Sequence, residues 1–479
     1  MSTTHAHHPR HALFVHNHFM RLGLLLSPAT AIVVALGLAA PADARAPDDT
    51  TLTMTGQAKF AGQVTPLKIR LRHADGSPIM GGVVLVERRR SGTWRPFETV
   101  TTDPDGRASV DATLARRAAS NVFRASYAGP DSAPDKTGPV PVGLLRRSSR
   151  VTVRGPDSVV DEQSVRVSVR WRTGNGLPVS GIVRLLRRNG GGDWRLVRRL
   201  RTGEDGRAQI TTRPRVDTRW RAQARRLDWV SGDRSGVHGI NNLPPGVPVQ
   251  LPSGAPRPRI NLPDQPHAVG AGPNANISRI PSGVWNQMTG RTWHRGCPVG
   301  RSSLRYLRIN YWDYRGYRRR GELVAHATAI GKMSGALAEM YRKKLPVRAM
   351  YRVDRFGWSS RVRGGDDYKS MAAGNTSAFN CRDVVGRPGV RSPHSYGRSL
   401  DLNTWENPYR SRQGTVPNTW WMGHSHPRVA WRSRSHAVVR LMARHGLRWT
   451  YGNGDTQHFD AYGSNGRLAA RYRSCVLCK

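Results

Sequence analysis

The sequence predicts a multidomain chain: two all-β sandwich modules followed by an α+β region. Three observations carry this prediction. In the front half apolar residues alternate with basic ones, and that half repeats itself after 100 residues. Past a Pro-rich break near position 241 the apolar spacing lengthens to three and four.

The alternation is plain in Leu67-Lys68-Ile69-Arg70-Leu71-Arg72 and again in Val165-Arg166-Val167-Ser168-Val169-Arg170-Trp171. A period of two means strands with one face in a core and one in water. The repeat aligns Gly76-Ser77-Pro78-Ile79 with Gly176-Leu177-Pro178-Val179, Trp94 with Trp194, and Asp105-Gly106-Arg107-Ala108 with Asp205-Gly206-Arg207-Ala208, all at an offset of 100 with no insertion required. A repeat of that length is a whole domain, and its Asp-Gly pairs mark hairpin turns. The modules are assigned to residues 50–146 and 147–240. They resemble bacterial Ig-like modules without the Cys…Trp…Cys of antibody domains. Trp94 and Trp194 are expected in the core rather than as sugar-stacking platforms.

Residues 241–276, with Leu243-Pro244-Pro245-Gly246-Val247-Pro248, read as an extended, semi-rigid linker. The remainder, 277–479, is α+β. Apolar positions recurring from Leu323 to Met340 predict a helix over Glu322–Lys343, ended by Pro346. A second helix is predicted over Ser435–His445 with Gly446 as its stop. Leu447–Thr450 then reads as a strand.

At the N-terminus, Arg21, an apolar run from Leu22 to Ala40 and the small-residue Ala42-Asp43-Ala44 site read as an export signal over residues 1–44. An uncleaved anchor is the competing reading, with Pro28 interrupting the run. No further stretch is apolar enough to span a membrane, so a secreted or wall-associated product is expected. The net charge is +44. Nucleic acid is the reflex partner for such a balance, but an exported chain meets anionic wall polymers first, and no nucleic-acid role is expected. Wall affinity and compositional Arg bias both remain open.

The chemistry is concentrated in Ser392-Pro393-His394-Ser395-Tyr396-Gly397-Arg398-Ser399-Leu400-Asp401 and Asp455-Thr456-Gln457-His458-Phe459. They offer two imidazoles and a carboxylate for a metal, and a second carboxylate three residues before the last His. Zinc hydrolases use such a set, with an open position for water and a base nearby. The spacing is not H-E-x-x-H, which sets two ligands on one helical turn. Taken singly, a His or Asp in a Gly/Ser/Pro-rich loop is an ordinary turn residue. His424 and His426 lie in a Trp/Gly/Pro-rich loop without a carboxylate and read as surface or substrate-loop residues.

The two motifs together resemble the zinc peptidases of the D-alanyl-D-alanine carboxypeptidase/VanY group, peptidase family M15, whose members carry S-x-H-x-x-G-x-A-x-D followed by E/D-x-x-H and an aromatic. The phrases Gly296-Cys297-Pro298-Val299 and Asn375-Thr376-Ser377-Ala378-Phe379-Asn380-Cys381-Arg382 are similar to an actinobacterial M15-like branch. The resemblance implies that His394, Asp401 and His458 bind Zn²⁺ and that Asp455 is the general base. It also implies that Arg382, in a segment similar to the family's S-G-Y-R-S, supports the oxyanion. The implied fold is a small antiparallel sheet flanked by helices, and the implied substrate is the stem peptide of peptidoglycan. Asp455 and Phe459, in place of Glu and Trp, look more like the L-alanyl-D-glutamate endopeptidases and phage endolysins. The cleaved bond is therefore open between D-Ala–D-Ala, L-Ala–D-Glu and a cross-bridge.

Four cysteines allow three pairings. Cys297 and Cys381 share the enzyme-like region and Cys475 and Cys478 share the C-terminus, so Cys297–Cys381 with Cys475–Cys478 is the expected pairing. Trp405, Tyr409 and the Trp420-Trp421 pair could wall a substrate groove or cover the core. The main rival to a peptidase is a non-catalytic cell-wall or polyanion-binding protein built on the zinc-peptidase fold.

Overall fold

The computed structural model describes residues 49–129 and 135–462. The export-signal assignment and the Cys475–Cys478 pair lie outside them. The chain divides into two compact units. One holds Pro66–Val110, Phe123–Val140 and the chain up to Gly56; the other holds Gln57–Thr65, Asp111–Val122 and everything from Pro141.

In the first module Thr50–Gly56, Val64–His73 and Arg107–Thr113 form one sheet. Thr93–Thr101, Val83–Arg90, Val122–Tyr127 and Asp135–Lys136 form the other. The expected alternation holds, with Leu67, Ile69 and Leu71 buried and Lys68 and Arg70 exposed. The second module repeats the plan. Ser149–Arg154, Val165–Thr173 and Arg207–Thr212 pair in one sheet. Ile182–Asn189, Arg195–Arg201, Thr218–Ala224 and His238–Leu243 belong to the other. Val167, Val169 and Trp171 of the first sheet pack with Val183, Leu185, Trp220 and Ile240 of the second.

The repeated Asp-Gly turns have a common physical cause. Gly106 and Gly206 have φ of +68° and +75°, and a Cβ on either would stand 2.4 Å from the carbonyl oxygen of Leu71 or Trp171. Only glycine fits a backbone that close in that conformation.

Two expectations for the modules are corrected. Trp94 and Trp194 are half-buried rather than core. Arg124 stacks on Trp94 at 4.5 Å, and Arg221 and Arg188 stack on Trp194 at 4.6 and 5.3 Å. Trp171 and Trp220 take the core places of the second module. The repeat also does not run without a gap. Gly82 and Gly181 are the equivalent close-approach positions, each 2.5 Å from a side chain (Leu71, Trp171) if given a Cβ. The second copy is therefore one residue short after Val179 and regains it before Trp194.

Residues 241–276 run extended against the rest of this unit. Trp405 Nε1 donates to the Pro256 carbonyl at 2.7 Å, and Gln265 Nε2 donates to Met350 O at 2.7 Å. Tyr317 OH reaches Asn242 O at 2.6 Å.

The C-terminal region is mixed α/β. Asn276–Ser278, Leu304–Trp312 and Arg318–His326 form an antiparallel sheet. The helix Ala327–Arg342 packs on it through Ile330, Met333 and Leu337. The expected helix thus begins five residues late, because Glu322–His326 pairs as strand with Leu304–Arg308. His326 then caps the helix, its Nδ1 accepting from Thr328 N. The second helix spans Ala437–Arg444 and presents Val438, Val439, Leu441 and Met442 to the same core. Leu447–Arg448 is a strand as expected, and Cys297–Cys381 is a disulfide. Among the described residues no helix is long and apolar enough to cross a membrane.

Candidate metal centre

Each motif residue is placed by a local device. Ser392 begins the 3-10 turn Pro393–Tyr396, its hydroxyl accepting from His394 N at 3.3 Å. Pro393 at the first position suits the turn. Gly397 closes it with φ +67°, where a Cβ would meet His326 N at 2.8 Å. The chain then enters the strand Ser399–Asp401, which pairs antiparallel with His458–Ala461. Asp401 and His458 are direct register partners, so sheet pairing alone sets carboxylate beside imidazole. The second loop is pinned at Thr456, whose carbonyl accepts from Trp431 Nε1 at 2.5 Å and Trp449 Nε1 at 2.9 Å.

The hydrogen bonds leave one nitrogen free on each ring. His394 Nδ1 is 2.7 Å from the Ala378 carbonyl, which can only accept, so Nδ1 carries the proton and Nε2 is the free atom. His458 Nε2 lies 2.9 Å from Asp460 Oδ1, which leaves Nδ1. Those two nitrogens are 3.1 Å apart, and each lies 3.1 or 3.2 Å from an oxygen of Asp401. Bonds of 2.0–2.2 Å to a tetrahedral zinc imply ligand–ligand edges of about 3.3 Å. The donor set and its dimensions therefore fit zinc, and the cluster can coordinate a metal ion.

Asp455 and Arg382 line the same cleft as the three ligand residues. Asp455 is half-buried there, and its Oδ1, shielded from solvent, has no hydrogen-bond partner among the described residues. Burial pushes its carboxyl well above the usual range, against the opposing pull of His458. Burial would also raise Asp401, but the imidazoles of His394 and His458 hold it far below the ordinary value. His458 is pushed well up despite its burial, because Asp460 and Asp401 favour its charged form. Arg382 is tied down: Nη2 pairs with Asp367 at 2.7 Å and Nη1 donates to Asp383 O at 2.9 Å.

His424 and His426 take no part in this cluster. His424 stacks on Trp420 at 3.7 Å, and His426 Nε2 lies 3.1 Å from Gln250 O. Trp405 and Trp421 are core, whereas Tyr409 lines the cleft. His294, Cys297 and Cys381 also lie close together, but the disulfide consumes both thiols.

Residues 385–461 match the family model for D-alanyl-D-alanine carboxypeptidase, a branch of peptidase M15. That stretch contains His394, Asp401, Asp455 and His458; Arg382 precedes it. No curated relative matches the chain. Solved structures with similarity include a Salmonella alpha-2-macroglobulin mutant, at 14% identity and TM-score 0.20 over 55% of this chain and 18% of that one. A tetra-tandem repeat from the extending region of a large adhesion protein gives 12% identity and TM-score 0.27 over 58% and 63%. Escherichia coli alpha-2-macroglobulin activated by porcine elastase gives 13% and 0.18 over 55% and 26%. This chain spans less than two thirds of each.

Two groups that serve the cluster escape the motifs, Asp460 and Asp367, and the Ala378 carbonyl lies in the 375–382 phrase, which assigns it no role. Asp460 had a signal, since residues two apart on a strand share a face and His458-Phe459-Asp460 sets a carboxylate beside the ligand. Asp367 had none, because it reaches the site through a tertiary contact with Arg382, and a backbone carbonyl such as that of Ala378 leaves no mark in residue type.

Proposed function

We propose that the C-terminal region is a zinc-dependent peptidase that hydrolyses peptide bonds in peptidoglycan stem peptides, as a D-Ala–D-Ala carboxypeptidase or an L-Ala–D-Glu-type endopeptidase. One observation carries the reading. Two imidazole nitrogens and the two oxygens of the Asp401 carboxylate converge at zinc dimensions inside the stretch that matches the carboxypeptidase family.

In this reading His394 Nε2, Asp401 and His458 Nδ1 hold the ion. Bound zinc supplies Lewis acidity and brings the pKa of water down to about 7. Asp455 takes a proton from the attacking water on Oδ1 and returns it to the leaving amine nitrogen. Its unpartnered, solvent-shielded oxygen in the same cleft as the ligand residues supports that role. Ala378 O and Asp460 orient the two rings. Arg382, held by Asp367, contributes fixed positive charge on the cleft wall toward the developing oxyanion. The disulfide supports an oxidising, extracytoplasmic setting. Among their described residues the two β modules, in this reading Ig-like, show no catalytic set.

The test uses the full chain, purified and incubated with peptidoglycan and defined stem peptides, with products read by mass spectrometry and zinc measured in the same sample. About one zinc per chain with a defined product supports the reading and names the bond. Stoichiometric zinc without cleavage turns it toward a binding role, and absence of zinc binding overturns it.

A further inference from the structure

We propose that the solvent-facing side of the sheet Ser149–Arg154, Val165–Thr173 and Arg207–Thr212, in the second β module, is a docking surface for a linear phosphodiester polymer that carries no bases. This surface is independent of the metal centre.

The residues on that side follow from strand parity. Val151, Val167, Val169 and Trp171 point into the core, so their neighbours point out. Six of the outward positions are Arg150, Arg154, Arg166, Arg170, Arg172 and Arg207. The others are Thr152, Ser168, Gln209 and Thr211. Every outward strand position therefore offers a hydrogen-bond donor, and none is a carboxylate.

The arginines are also paired against themselves. Arg150 sits directly opposite Arg172, and Arg170 directly opposite Arg207. Like charges in that relation destabilise a sheet. Rows about 4.8 Å apart, with about 6.7 Å between alternate residues, keep these charges within a Debye length of about 8 Å at physiological salt. Local compensation is slight. Asp205 lies in the turn, exposed, 3.9 Å from Arg207, and Arg172 Nη1 donates to the Gly176 carbonyl. Partial desolvation, then the charges of Arg172, Arg207 and Arg154, pull the Arg170 guanidinium below its usual range. The equivalent side of the first module is milder, with Thr51, Thr53 and Thr55 in one strand and Asp111 in another.

The choice of polymer rests on what the surface lacks. Its outward strand positions include no aromatic side chain on which a base could stack. Arg154, Arg170 and Arg207 line a shallow concavity that also includes Asp205, and three guanidiniums against one carboxylate leave it net positive, so phosphates spaced along a flexible backbone can meet successive guanidiniums. Bases would add nothing there.

The experiment measures binding of the full chain to synthetic poly(glycerol phosphate) of defined length, over a series of salt concentrations. The variant R166Q/R170Q/R207Q is compared with R199Q/R201Q/R219Q, which removes the same charge from exposed positions on the module's other sheet. We expect the first to lose at least tenfold in affinity and its salt slope to fall by about 2–3, at 0.7–0.9 per charge. The second should lose several-fold less. Equal losses would reduce the effect to net charge and overturn the proposal. So would tighter binding of an oligothymidylate of equal charge. Because repulsion is removed, the first variant should melt no lower than the parent. Should it fail to fold, R170Q alone is read in its place against R199Q.

Discussion

His458 and Asp460, two residues apart on one strand, are joined by a 2.9 Å hydrogen bond between Nε2 and Oδ1. The bond decides which nitrogen of His458 faces the metal position. Asp460 is itself held by the Ser399 hydroxyl at 2.6 Å and the Thr450 hydroxyl at 2.7 Å. Although burial works against its charge, His458 and these donors bring its pKa down to about 2. The carboxylate is thus charged at any working pH.

Replacing Asp460 with Asn should therefore weaken zinc binding by about 10–100-fold, the usual cost of losing such an orienting partner. Competition with a chromogenic chelator measures it. Unchanged affinity would show that the ring needs no such support.

Asp455→Asn should keep the metal and lose turnover by roughly 10²–10⁴, because the amide cannot accept the proton. Zinc content and kcat are measured on the same preparation. Loss of metal in that variant would make Asp455 a ligand instead.

The disulfide closes a sequence separation of 84 residues, and Cys381 adjoins Arg382. By loop-closure entropy its loss should cost about 4.5 kcal/mol. Urea unfolding of the Cys297→Ser, Cys381→Ser double variant tests this, with a lowered midpoint and a raised m-value expected, since the unfolded chain without the cross-link is less compact.

Glu339 joins the two long helices of the C-terminal region, receiving Arg444 Nη2 at 2.7 Å and His445 Nε2 at 2.7 Å. Bonds from Arg444 and then His445 hold its pKa below the ordinary 4.5. A depressed folded pKa stabilises above the unfolded value and is lost as pH falls through the folded one. For a surface pair the amount is about 0–1 kcal/mol. The melting temperature of Glu339→Gln should lie slightly below the parent at pH 6, and the gap should close below pH about 4. A constant gap would assign the effect to packing.

Sequence periodicity made the strands of both modules and the helix Ala437–Arg444 legible, because alternation and helical spacing are local properties. It misjudged the start of the helix at Ala327. Leu323 fits both periods there, and only pairing with Leu307 chooses strand. Trp94 and Trp194 were misread for a related reason. An aromatic in a strand is ambiguous between faces, and stacking by Arg124 and Arg221 holds these two outside the core.

By itself the sequence determined the order of the parts, the repeated β module, the strand faces and the residue types of the His394–Asp401–His458 cluster. Composition and short-range spacing specify all of these. The tertiary structure alone decided that Asp401 meets His458 across a ladder, which nitrogen of each ring is free, and that Asp367 restrains Arg382. Those facts depend on contacts between residues far apart in the chain, whose geometry is set by packing rather than by any local pattern.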